Sequence, residues 1–113
     1  MFNYTIEELN SVQVIIFKGR ILDQSHTTEF INKFNTLLNQ GEKKFIIDFS
    51  EIDYINSAGL NVLITLLTKT RDNNGEFYIC NIPIKVKRLI AISKLESIFK
   101  MEATLDDALQ KLR

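Results

Sequence analysis

The chain predicts an α/β domain: a mixed β-sheet opened by an N-terminal hairpin, with about four helices packed mainly on one face. Three observations carry this. Apolar residues alternate through residues 3–18, as in half-buried strands. A continuous apolar run, Phe45-Ile46-Ile47, reads as a strand covered on both faces. Beyond it, apolar stripes at helical spacing alternate with further short strands.

The hairpin pairs residues 3–9, with Tyr4, Ile6 and Leu9, against residues 12–18, with Val12, Val14 and Ile16. Asn10-Ser11 supplies the turn, and Gly19 is expected to end the second strand. Asp23-Gln24-Ser25 offers side-chain oxygens to cap a first helix, whose apolar face is Phe30, Ile31, Phe34, Leu37 and Leu38. Gly41 stops it. Residues 44–49 form a third strand in the sheet interior, followed by an acidic turn, Asp48 to Asp53. Leu60, Leu63, Ile64 and Leu67 define a second helix over about residues 58–72. Asn73-Asn74-Gly75 turns into a fourth strand at 77–80. Pro83 begins a third helix, with Val86, Leu89 and Ile90 inward. Ser93-Lys94-Leu95-Glu96 has capping-box spacing and predicts one more helical turn. Phe99-Lys100-Met101 reads as a last short strand. Thr104 caps a final helix carrying Leu105, Ala108, Leu109 and Leu112.

Length and composition bound the function. The 113 residues fit one domain, taken as 1–113. Lys plus Arg and Asp plus Glu balance at 14 each, which disfavours nonspecific nucleic-acid binding. No apolar run approaches the length of a membrane span, and no basic-then-apolar secretion signal opens the chain. Cys80 is the single cysteine, so no internal disulfide forms and the cytoplasm is the expected compartment. One Cys and one His, His26, do not make an ordinary zinc site. No metal or cofactor is expected.

Ile55-Asn56-Ser57-Ala58-Gly59-Leu60 carries the chemistry. A serine sits where a helix follows a strand, beside two small residues that do not hide it. Free N–H groups and the positive end of the helix dipole favour an anion there. A phosphate on Ser57 would add a charge of roughly −1.5 to −2 to a surface that a partner reads. The plainer reading makes Ser57 a helix cap. Gly59 is needed where backbone comes close. Asp48 and Asp53 read as loop residues flanking a turn, His26 as a solvated side chain and Cys80 as buried and inert. Lys85, Lys87 and Arg88 read as a solvated helix face balanced by Asp106 and Asp107. There is no glycine-rich loop followed by Lys-Ser/Thr, hence no motif for nucleotide hydrolysis.

Taken together, these segments resemble the STAS domain, in its stand-alone bacterial form, the anti-sigma factor antagonists. Gly19-Arg20-Ile21-Leu22-Asp23 is similar to the family's Gly-x-Leu-Asp ending of the second strand. Ile47-Asp48-Phe49-Ser50, then Ile55 to Leu63, resembles its Asp-Leu-Ser and Asp-Ser-Ser/Thr-Gly-Leu-x-x-Leu signature. Cys80-Asn81-Ile82 and the segment from Val86 to Phe99 resemble its C-terminal third. The resemblance implies a binding protein, not an enzyme. It implies that Ser57 is phosphorylated by a serine-kinase/anti-sigma factor of the GHKL ATPase type. The unphosphorylated form binds that kinase and frees its sigma factor, and a PP2C-type phosphatase resets the switch. It assigns partner binding to Asp23, Asn56, Ser57, Ala58, Gly59 and Asn61. Two positions depart from the family: Asn56 stands where Asp is frequent, and Ala58 where a second hydroxyl is common.

The alternative keeps the fold without the switch, as a constitutive STAS subunit or scaffold, for example of a lipid-transport ATPase. A third reading, a hydrolase with Ser57 as nucleophile, lacks a base near it in sequence. The apolar residues are used by the core, so the free protein is expected to be a monomer.

Overall fold

The computed structural model describes residues 2–113. Five strands form one sheet in the order β1-β2-β3-β4-β5. β1 (Phe2–Leu9) and β2 (Val12–Ile21) are antiparallel, and every later pairing is parallel. Asn10 and Ser11 both take positive φ, 53° and 67°. That conformation twists a two-residue hairpin loop with the strands it joins. β2 does not stop at Gly19. The glycine, at φ 88°, sits inside the strand beside a register shift against β3, so it makes a bulge and the strand runs on to Ile21.

Asp23 does cap a helical segment, but a single 3-10 turn, Gln24–Thr27. The helix proper, α1 (Thr28–Asn39), follows directly. Its end is set as Gly41 predicts: Gly41 takes φ 90°, its N–H bonds to the Leu38 carbonyl and that of Glu42 to Leu37. β3 (Lys44–Ile55) is central, and it is twice as long as its apolar run suggested. The expected acidic turn is strand. Ser50, Glu51, Asp53 and Tyr54 are exposed there while Phe49, Ile52 and Ile55 are buried.

α2 (Ser57–Asp72) packs back on the sheet, then β4 (Glu76–Cys80), α3 (Ile84–Ile92), β5 (Lys100–Glu102) and α4 (Leu105–Lys111) complete the chain. The capping-box segment 93–96 is not helical. Lys94 takes φ 59°, and the N–H groups of Lys94 and Leu95 bond to the carbonyls of Ala91 and Ile90. Ser93-Lys94-Leu95 therefore closes α3 instead of starting a new helix.

The sheet has two unequal faces. α1, α2 and α3 cover one with Phe30, Phe34, Leu63, Leu66, Val86 and Ile90, against Phe17, Phe45, Ile47 and Ile79. Aromatic rings thread that core: Phe17 and Phe30 meet edge to face at 5.1 Å between centroids. α4 alone packs on the other face, where Ala108 and Leu112 meet Val14, Ile46 and Tyr78.

Candidate functional site

The site lies where β2 and β3 end and α2 begins. Parallel strands bring their C-terminal ends to one edge, which is where α/β sheets ordinarily bind. Ile21 and Ile55 are paired neighbours at that edge. Asn56, at φ −107° and ψ −163°, is extended rather than helical, and its carbonyl accepts the first helical bond, from Leu60 N–H at 3.0 Å. Asn56 is therefore the N-cap, and Ser57 is the first residue of the helix.

The Asn56 amide works in both directions. Its Oδ1 accepts from Ala58 N–H at 2.9 Å and, more weakly, from Gly59 N–H at 3.4 Å. Its Nδ2 donates to the Leu22 carbonyl at 3.1 Å, and its backbone N–H donates to the Ile21 carbonyl at 3.3 Å. A carboxylate would keep the cap but has no hydrogen to give Leu22. This amide thus ties the Leu22–Asp23 loop to the start of α2.

With Asn56 capping, the Ser57 hydroxyl is not needed for that task, and Ser57 is exposed. Ala58 is half-buried. Asn61, one turn along α2 from Ser57, is exposed. Gly59 is buried against the strands. A Cβ there would lie 2.7 Å from Ile55 Cβ and 3.1 Å from Ile21 Cβ, so only glycine lets α2 approach this closely. No acidic residue occupies the first turn of α2, while Lys69 and Arg71 sit in its last. No acidic residue of α2 itself therefore offsets the positive end of the helix beside Ser57.

Asp23 is exposed next to this edge. Its carboxylate accepts from Ser25 N–H at 2.9 Å, and that bond holds it below the usual carboxylate range. The structure gathers Asp23, Asn56, Ser57, Ala58 and Gly59 around one corner, with Asn61 a turn away. Leu22 belongs there as well: it is 45% exposed although apolar. Its place directly before Asp23 was the available signal, and its strand-like neighbours concealed it. Beside α2, a groove of about 290 Å³ runs between the 3-10 turn and the helix, with Ser25, Thr28, Val62 and Thr65 in its walls.

The other candidate groups fall elsewhere. Asp48 is buried in β3, where its Oδ1 accepts from Ser50 N–H at 2.8 Å and from Asn81 Nδ2 at 3.1 Å. It braces β3 to the end of β4 and flanks no turn. Asp53 is an exposed strand residue. Burial pushes the Cys80 thiol up to about 12, with the Asp48 charge adding to it. His26 is exposed in the 3-10 turn. Among the described residues no group of three His, Cys, Asp or Glu side chains is placed to hold a metal ion, and no helix is long and apolar enough to cross a membrane.

The fold agrees with that of known proteins that the chain resembles. The sequence pattern of the STAS domain matches residues 3–108, and the chain belongs to that family. It is 24% identical over 95 residues to a Bordetella bronchiseptica protein named "Putative anti-sigma factor antagonist BtrV", covering 84% of this chain and 81% of that one. Among solved structures, an anti-sigma factor antagonist from Mycobacterium paratuberculosis superposes with a TM-score of 0.84 at 23% identity, covering 98% of this chain and 93% of that one. The phosphorylated form of the Bacillus cell fate determinant SpoIIAA superposes with a TM-score of 0.76 at 21% identity, covering 98% and 100%. At these identities the structural likeness speaks for the fold alone.

Proposed function

We propose that this protein is an anti-sigma factor antagonist switched by phosphorylation on Ser57. The unphosphorylated corner of Asp23, Asn56, Ser57, Ala58, Gly59 and Asn61 binds a serine-kinase/anti-sigma factor of the GHKL ATPase type and displaces its sigma factor. A PP2C-type phosphatase returns the phosphorylated form to the binding state. One observation carries the reading: Asn56 takes over the capping of α2, which leaves an exposed Ser57 hydroxyl at the positive end of a 16-residue helix. The names of the relatives supply the class of partner.

The switch is local. A phosphate placed into a surface fitted to a neutral hydroxyl brings desolvation cost and repels carboxylates of the partner. Each unfavourable kcal/mol weakens binding about fivefold, so a few kcal/mol turn binding off without refolding. Asn56 offers no base, because its oxygen already accepts helix N–H groups and its nitrogen is a donor. The residue before Ser57 therefore does not take its proton, and the reading assigns that step to a group of the kinase.

Two measurements test this. Phosphopeptide mapping of the protein from its native cells, in growth and in starvation, is expected to find phosphate on Ser57 that varies with condition. With the kinase in hand, Ser57→Ala should retain binding and Ser57→Asp should lose at least about tenfold, or 1.4 kcal/mol. Equal affinity of the two variants, or Ser57 unmodified in every condition, would overturn the switch.

A further inference from the structure

The basic cluster of the third helix has none of the balancing neighbours that the sequence suggested. Lys85, Lys87 and Arg88 lie on α3, and Lys94 follows two residues after its end. No Asp or Glu occurs from Pro83 to Leu95. Asp106 and Asp107 belong to α4, which packs on the opposite face of the sheet from Val86 and Ile90 of α3. Among the described residues the one ion pair within 4.0 Å joins Lys100 and Glu76.

The same helix is apolar toward solvent. Ile84 is 62% exposed and Ile92 79% exposed, the two most exposed large apolar side chains among the described residues. At about 100° per residue, Ile84, Lys85, Arg88, Ala91 and Ile92 share the side opposite buried Val86 and Ile90, with Lys87 on its flank. Flanking it is a groove of about 440 Å³, lined by Lys87, Arg88 and Ala91 on one wall and by Glu96 and Met101 on the other. A solvated helix face needs neither the isoleucines nor a groove.

We propose that this face of α3 docks an amphipathic helix of a partner protein, one whose contact side interleaves Asp or Glu with Leu, Ile or Phe. The carboxylates answer Lys85, Lys87 and Arg88, and the apolar residues cover Ile84 and Ile92. Ala91 is small, which lets the partner backbone come near. Nine residues of α3 present about 13 Å, the length of two to three turns of an opposing helix. A flat anionic membrane fits less well: it cannot fill the groove, and Glu96 on the rim would face its phosphates. Within the groove, Glu96 instead gives one Lys or Arg of the partner a fixed place, which sets register.

The test is site-specific photo-crosslinking of the full chain in its native cells, with benzoylphenylalanine at Ala91. The expected product joins this position to a partner segment carrying the acidic-apolar helical pattern. Lys87→Glu with Arg88→Glu should lower its yield at least tenfold, while Lys33→Glu, on exposed α1 surface, leaves it unchanged. Both substituted α3 residues are exposed, and thermal melts verify that the variant is folded. No product above that of the same probe at exposed Asn39 overturns the proposal, as does a product insensitive to the charge reversal. Flotation of the purified protein with phosphatidylglycerol vesicles, lost on the same charge reversal, overturns it in favour of a membrane.

Discussion

From Phe45 to Asp48, β3 lies between β2 and β4, and all four residues are buried. From Phe49 to Ile55 it has β2 alone beside it, four of its seven residues are exposed, and both register shifts against β2 fall on this part. One strand thus serves two ends. The enclosed part is fixed by burial on both faces. The open part, bent by its register shifts against β2, carries Asn56 and Ser57 to the sheet edge. Having lost a neighbour, it can carry polar side chains into solvent.

Substitutions sharpen this contrast. Ile47→Ala, in the enclosed part, removes a fully buried side chain and should cost about 3 kcal/mol in urea denaturation, with partner affinity unchanged while the protein is folded. Gly59→Ala, at the open end, should cost about 2 kcal/mol through overpacking against Ile55 and Ile21. It should also shift the amide resonances at the start of α2, and a variant without either effect would mean that the close approach is not a constraint. Asn56→Ala should cost about 1 kcal/mol as a lost cap. Asn56→Asp should fall between that and wild type, since it keeps the cap and loses only the bond to Leu22. Ser57→Ala should change the melting free energy by less than about 0.5 kcal/mol. A loss as large as that of Asn56→Ala would return the capping role to Ser57 and break the comparison.

The enclosed part was legible in the sequence and the open part was not, for a physical reason. Phe45-Ile46-Ile47 is apolar because both faces of the strand are covered, and a short run of bulky apolar residues has few places to go except a sheet interior. Ser50, Glu51 and Asp53 read as a turn because a strand with one neighbour can be as polar as a loop. The cap was hidden by ambiguity between adjacent residues: Asn56 and Ser57 are both good N-cap types, and the backbone angles of Asn56 decide between them. Likewise, charges could be counted but not assigned to sides of the sheet. Asp106 and Asp107 looked able to balance Lys85, Lys87 and Arg88, yet α4 lies across the sheet from α3. The helix stripes were the most dependable signal, and Phe30, Phe34, Leu63, Leu67, Val86 and Ile90 are all in the core.

The strand order β1-β2-β3-β4-β5 has a consequence for biosynthesis. Each strand is laid beside the one made just before it, so no later segment has to be threaded between earlier ones. A chain leaving the ribosome from its N-terminus can add to one growing edge at every step. The partners of Ser57 in β2, β3 and α2 have all emerged by Asp72, whereas α3 and its basic face come later. The two surfaces are therefore completed in sequence during translation, the serine corner first.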